Sequence, residues 1–419
     1  MTVGLGTPAA SAAAATSAAK PASSTPDLWP TLSPFRHLVT ADMQGATADQ
    51  TLAATTLEGA YNAQQRPDRL YIEQRPADST WLATGALGSR SAQTPLATSG
   101  TGPAAILDAL LADYGPLIKG AVVTNANDPD TINLATTMAG IDDAMVATPA
   151  QVPMLQAHGI PVLYSFASQS FSSPTAAYQW EVDNLLPLTN DKDLVLLNPT
   201  VAGGIRDEAV ATGSFVFFLT STDSSETALM QQIITSRAPN TPILGYIADE
   251  GPDVAFLSSL GHFLNASDFF DNGSDWAAVS SPPGLSQPSP GAVAAQPRTA
   301  YVSFVESEGD NAQYVQERMF DLWHEADFGT VPEGWTLPPG MIDYAPSMMQ
   351  WFYGNRPRNS ELMAGPSGVG YATAETGGNL TQFAQLSGAF MRRDGMSTVD
   401  YWGSPSALSA YASAAGIPA

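Results

Sequence analysis

The sequence contains no cysteine. Disulfides, thiolate nucleophiles and cysteine-based zinc sites are excluded together. Positive charge is scarce as well: 16 Lys and Arg stand against 40 Asp and Glu, a formal net charge of −24. Such a surface repels phosphate backbones and anionic bilayers, so no nucleic acid partner is expected. No apolar run approaches the roughly 20 residues that cross a bilayer, so no membrane span is expected either. Charged residues of both signs amount to only 13% of the chain, about half the usual share. The solvent face must therefore be built from Ser, Thr, Asn, Gln, Gly and Ala, a neutral polar surface that fits a secreted protein. Histidine is rare: His37, His158, His262 and His324 stand far apart, with no metal-ligand spacing among them. The nucleophile elbow G-x-S-x-G is missing, since Ser367 lies in Pro-Ser-Gly. No strand is followed by a Gly-rich phosphate fingerprint. Neither a metal nor a cofactor is expected.

What remains is an apolar, finely alternating chain. Its 419 residues, 44% hydrophobic, exceed one ordinary core and predict two domains. Residues 1–34 form an Ala-, Ser- and Thr-rich segment in which Lys20 is the only charge among the first 26 residues. The segment reads equally as a signal-peptide remnant and as an Ala-rich tail. From residue 68 onward, short apolar runs bounded by Gly, Pro, Asn or Asp read as strands: Arg69–Glu73, Ala121–Thr124, Ala144–Ala147, Pro161–Phe166 and Leu194–Leu197. Helical stretches such as Ala104–Tyr114 and Pro149–His158 separate them. The second half repeats the rhythm with Phe215–Leu219, Ile243–Ile247, Tyr301–Val305, Gly334–Leu337, Glu361–Ala364 and Val399–Trp402. Such alternation predicts an α/β fold with mostly parallel sheets. The expected layout is an N-terminal α/β domain over 35–200 and a (β/α) barrel-like domain over 201–419. Only about six units are visible where a closed barrel has eight, so the barrel is expected to be irregular or incomplete toward the C-terminus. Ser281–Gln296, rich in Pro, Ser and Gly, reads as a long surface loop.

In folds of this kind the carboxyl ends of the strands converge on one mouth. The residues placed there are acidic and aromatic. Asp249 and Glu250 follow one strand, and Glu306-Ser307-Glu308-Gly309-Asp310-Asn311 follows another. Asp343 comes shortly after a third, Gly365 to Tyr371 follows a fourth, and Asp400-Tyr401-Trp402 ends the series. Three carboxylates within six residues repel one another unless solvent, a cation or shared protons relieve them. The same crowding would hold one group protonated near neutrality, which glycosidic cleavage requires of its acid. The residues alone also allow a solvated acidic turn, or a helix start capped by Asp310. Asp249 and Glu250 equally suit an N-cap and first-turn acid. Calcium coordination by either loop is conceivable, though no EF-hand spacing is present.

The segments YVSFVESEGDN, GWTLPPGMIDYAPSMMQWFY and ELMAGPSGVGY, in this order between Tyr301 and Tyr371, resemble the C-terminal domain of the GxGYxYP family of glycoside hydrolases. ILGYIADEGPDVAFLSSLGHFLNASDFF and LEGAYNAQQRPDRLYI resemble the family's preceding regions, so the likeness covers most of the chain from about residue 35. Two departures stand out. Glu308 occupies a position that in the family is Asp, and Tyr371-Ala372-Thr373-Ala374 lacks the second Tyr and the Pro of the name motif. The resemblance implies a carbohydrate substrate cleaved by Asp310, Glu308, Glu306 and Glu250 as acid and base or nucleophile. Asn311, Asp249, Asp343, Ser367, Gly368, Gly370, Tyr371 and Trp402 would hold the sugar. The degraded motif leaves a second reading, a non-catalytic carbohydrate-binding protein on the same scaffold.

Overall fold

The structure, a computed structural model, describes residues 25–89, 92–288, 296–309, 311–373 and 379–417. Its strands, in chain order, are β1 (His37–Asp42), β2 (Asp68–Glu73), β3 (Gln93–Pro95), β4 (Gly120–Val123), β5 (Ala144–Ala147), β6 (Val162–Ser165), β7 (Leu194–Leu196), β8 (Val216–Phe217), β9 (Pro242–Gly245), β10 (Phe263–Ala266), β11 (Val305–Glu306), β12 (Gly334–Leu337) and β13 (Glu361–Ala364). They form four sheets ordered β2-β1-β3, β5-β4-β6, β10-β9-β7-β8 and β11-β12-β13. Every strand pairing in them is parallel. A parallel strand needs a crossover before its neighbour, and the helices between the strands supply it.

The expected α/β class with parallel sheets is what the chain adopts. The expected barrel is not found: among the described residues the sheets are open, and none closes on itself. The four-stranded sheet also spans the division expected at residue 200, because β7 pairs with β8 and β9 beyond it. Single bridges join the last two sheets: Ala266 to Asn311 and, antiparallel, Leu264 to Tyr371.

Alternation along the strands explains how the sheets share their cores. In the four-stranded sheet, Leu194, Leu196, Phe215, Phe217, Ile243 and Leu264 enter one apolar core. Val195, Leu197, Val216, Leu244 and Phe263 enter the other. Successive side chains point to opposite faces, so this sheet lies between the two cores and is buried on both faces, as parallel sheets are. The helix Ala48–Asn62 starts at a capping box, in which Gln50 N–H donates to Thr47 Oγ1 (3.4 Å) and Thr47 N–H to Gln50 Oε1 (3.0 Å).

The interior also holds carboxyl groups. Glu58, Asp78, Asp207, Glu208, Asp271 and Asp275 are buried where the helices Ala48–Asn62, Arg206–Thr212 and Gly273–Trp276 meet the end of β2. Ser274 N–H donates to Asp207 Oδ2 (2.8 Å), and the N–H groups of Gln74 and Arg75 donate to Asp78 Oδ2 (2.8 and 2.9 Å). The cations at hand are Arg69, turned to the carbonyls of Arg66 and Ser33, and Arg75, which is 3.4 Å from Asp271. Burial outweighs this help. It pushes the Asp78 carboxyl up to about 7 and the Asp207 carboxyl to about 6. Burial, followed by the neighbouring acids, raises Glu58, Asp275 and Glu208 well above the ordinary carboxylate range.

Candidate active site

Local contacts draw the carboxyl ends of β11, β12 and β13 together. Thr336 of β12 donates its hydroxyl to the Glu306 carbonyl (2.7 Å) and accepts from Gly309 N–H (2.8 Å). The acidic loop thereby folds back onto its neighbour. Gly309 and Gly365 meet face to face: a Cβ on Gly365 would lie 2.7 Å from Gly309 Cα. Only residues without side chains fit that approach. The next stretch, Gly365 to Tyr371, runs on to β10, where Tyr371 N–H donates to the Leu264 carbonyl (2.7 Å) and Leu264 N–H to the Tyr371 carbonyl (2.9 Å).

These backbone contacts gather side chains from four segments. Glu250 starts the helix that follows β9, and Tyr371 Oη donates to its Oε1 (3.0 Å). Glu306 Oε1 accepts from Tyr314 Oη (2.7 Å). The Glu308 carboxyl is raised above the ordinary range, first by partial desolvation and then by the charges of Glu306 and Glu250. Asp400, beyond the single bridge of Val399 to Ala364, accepts from Ser307 Oγ and from Trp402 Nε1 (3.3 Å). The Trp402 ring stands edge-on to Tyr371 at 6.2 Å and is 49% exposed. The outcome is an acidic cluster of Glu250, Glu306, Glu308 and Asp400 beside the paired rings of Tyr371 and Trp402. A carboxyl raised by its surroundings beside other carboxylates is an arrangement that can divide into a proton donor and a base or nucleophile.

The expected site residues divide into groups. Glu250, Glu306, Glu308, Tyr371 and Trp402 are brought together. Asp310 lies outside the described residues. Asn311 caps the helical turn Ala312–Tyr314, its Oδ1 accepting from Tyr314 N–H (3.0 Å). Asp249 occupies the N-cap position of the next helix, with its N–H bound to Asp253 Oδ2 (3.0 Å). Asp343 forms an ion pair with Arg393 at 2.7 Å. Ser367 is buried, its Oγ accepting from Trp402 N–H (2.9 Å) and its carbonyl from Tyr411 Oη. Gly368 and Gly370 pack against Ser387 and Phe263. Asp400 and Tyr314 join the site although the sequence reading gave them no role. Their signals were an acid two residues before Trp402 and a Tyr one helical turn past the acidic loop.

A concavity of about 430 Å³ lies at the opposite, amino-terminal ends of β11 to β13, among Val302, Phe304, Glu333 and Glu361. It adjoins the acidic cluster through Val305 and the Glu306 charge, which together with partial burial raises Glu333. Among the described residues no three His, Asp or Glu side chains are placed to share a metal ion.

Fold and site together define a parallel α/β protein with a cluster of carboxylates at its strand ends. The GxGYxYP putative glycoside hydrolase C-terminal domain matches residues 298–414, the GxGYxYP_N second domain matches 118–188 and the GxGYxYP third domain matches 192–278. The chain belongs to the GxGYxYP family. The three matched stretches fall on the sheets of β11–β13, β4–β6 and β7–β10 respectively. A comparison with curated proteins finds no match. A crystal structure described as a putative hydrolase from Bacteroides thetaiotaomicron VPI-5482 is similar at TM-score 0.81 and 20% identity, over 93% of this chain and 75% of that one. At that identity the likeness carries the fold.

Proposed function

We propose that the protein is a glycoside hydrolase acting on an extracellular polysaccharide or glycan. The observation that carries this reading is Glu308, a carboxyl raised by its surroundings and facing the charges of Glu250 and Glu306. Glu308 is the proton donor to the glycosidic oxygen. As the bond from the anomeric carbon to that oxygen breaks, the leaving sugar departs with Glu308's proton as a free hydroxyl. Glu250, oriented by the Tyr371 hydroxyl, is the base or nucleophile toward the anomeric carbon. In either role water supplies the new oxygen, and its proton returns to a carboxylate, so the acids are regenerated. Partial desolvation, and after it the charge of Glu306, raise the Glu308 carboxyl in the direction a proton donor needs. Trp402 and Tyr371 offer ring faces to the sugar.

The test is reducing-sugar release from a panel of polysaccharides by the unaltered protein and by Glu308→Gln. The reading requires release that drops by a factor of about 100 or more in the variant, the usual scale of general acid catalysis, with the fold intact. Equal release by both would remove Glu308 from the chemistry. Glycan binding without release would leave a carbohydrate-binding protein, the reading that the missing Tyr-Pro after Tyr371 favours.

A further inference from the structure

A separate cavity of about 340 Å³ opens at the carboxyl ends of β1, β2, β7 and β10, with Gln74, Arg75, Thr200, Gly203, Gly204 and Phe269 among its walls. In open parallel sheets this is the side on which ligands bind. The walls are fixed from beneath. Fully buried Arg206 donates from Nε to the Val201 carbonyl (2.6 Å) and from Nη2 to the Pro199 carbonyl (3.3 Å). Gly204, at φ +62°, and Gly203 have no room for a Cβ, which would collide with the Asp268 carbonyl and the Gln74 amide oxygen. The 200–204 loop is thus bare backbone pressed onto the ends of β2 and β10.

Phe269 is 44% exposed yet held firmly. Its carbonyl accepts from Arg75 Nη1 (2.7 Å), its N–H donates to Gln313 Oε1 (2.6 Å), and the Arg75 guanidinium lies 5.2 Å from its ring centroid. Beside it, Gln74 Nε2 is a buried donor without a hydrogen-bond partner. Leaving such a group unpaired costs about 1–3 kcal/mol. The fixed apolar ring, the Gln74 side chain with its amide nitrogen just beneath the surface, and the Thr200 hydroxyl line the cavity together, one apolar face beside a few polar groups, as small-molecule sites have. Arg75 is already paired with Glu317. Among the described residues lining the cavity it is the one cation, so little positive charge is left for a phosphate or carboxylate, and a neutral hydroxylated ring is the chemistry that fits.

The cavity is tied to the acidic cluster through one helical turn. Gln313 holds Phe269, and the next residue, Tyr314, holds Glu306. Two side chains diverging from one turn of helix put these anchor points on the order of 10 Å apart.

We propose that this cavity is a second carbohydrate subsite, binding a neutral sugar unit of the same chain that is cleaved between the acids. The inference rests on the carbohydrate reading of the acidic cluster and adds that the substrate is an oligomer or polymer gripped some units away from the reacting bond.

Affinity electrophoresis of the full chain tests it, in gels containing hydroxyethylcellulose, arabinoxylan, galactomannan, glycogen or pectic galactan. Retardation by at least one of these is expected. Phe269→Ala, at an exposed position, should weaken that retardation about tenfold, the loss of one stacking contact. Gln74→Leu, which keeps the volume and removes the donor, should weaken it too. Retardation unchanged in both variants, or absent for every polysaccharide, overturns the subsite. The hydrolase reading fails separately: retention that depends on Phe269 without any sugar release keeps the subsite and discards hydrolysis. Sugar release with retention indifferent to Phe269 and Gln74 does the reverse.

Discussion

Raising the pH from about 5 to about 8 should loosen this fold, because the folded chain holds carboxyl groups neutral that the unfolded chain ionises readily. Asp78 moves from an ordinary value of about 3.9 to about 7, and Asp207 moves to about 6. A group raised by folding contributes its full stability below the unfolded value and loses it as pH climbs through the folded one. Here the loss sets in above about pH 4 and is complete beyond about pH 7. At about 1.4 kcal/mol per unit, between pH 5 and pH 8 Asp78 forfeits about 3 kcal/mol and Asp207 about 1 kcal/mol. Glu58, Asp275 and Glu208 shift in the same direction. Against a usual net stability of about 5–15 kcal/mol this is large, and Tm should fall on the order of 10 °C between pH 5 and pH 8. The surface charge of −24 pushes the same way through long-range repulsion. About 0.5 M NaCl screens that repulsion and leaves buried groups untouched, so the fall should persist in salt. Glu58→Gln separates the buried contribution further. Glu58 and Asp275 are within hydrogen-bonding reach of each other, a contact that needs a proton on one of them, so the amide supplies a permanent donor while removing an ionisable group. The variant should gain Tm at pH 8 and not at pH 5. The reasoning is refuted if scanning calorimetry in high salt finds Tm at pH 8 equal to or above that at pH 5, or if Glu58→Gln lowers Tm equally at both.

Other consequences are as direct. Tyr371→Phe removes the hydroxyl that donates to Glu250 and should lower sugar release about tenfold while leaving Tm unchanged, as the carboxylate loses its orienting contact. Unchanged release would show that the contact does not position the reaction. Thr336→Val strips Gly309 N–H of its acceptor and should cost about 1–3 kcal/mol in urea unfolding, with sugar release falling as the acidic loop loosens. Asp343→Asn breaks the ion pair with Arg393 and should lower Tm while leaving glycan retention unchanged. Lost retention at unchanged Tm would return Asp343 to the sugar.

The parallel α/β class was legible because short apolar runs at even spacing admit few other arrangements. β12 and β13 appear over the residues read from the sequence, Gly334–Leu337 and Glu361–Ala364. Tyr301–Val305 shrinks to Val305–Glu306, which pairs only with Gly334 and Trp335. The strand sits at a sheet edge, and β-propensity without a partner strand makes no ladder. His37–Asp42 went unseen because half its residues are polar and its identity depends on β2 and β3 lying on either side. Closure into a barrel is likewise a property of neighbours far apart in sequence. At the site, the acids were legible as strand-end residues. That Ser367, Gly368 and Gly370 are packing residues was not, since a Gly-dense loop reads the same whether it faces a ligand or its own core. The buried carboxyl cluster gives no local sign either: Glu58 and Asp275 are 217 positions apart and become neighbours only in the folded chain.

The four-stranded sheet of β7 to β10 sends alternate side chains into two different cores. Neither core can be dismantled while the other keeps its packing, because the wall they share would lose one face. The chain should therefore melt as one cooperative unit across all four of its sheets, and the slowest amide hydrogens to exchange should be those of Val195, Leu196 and Leu244, in the middle of that wall.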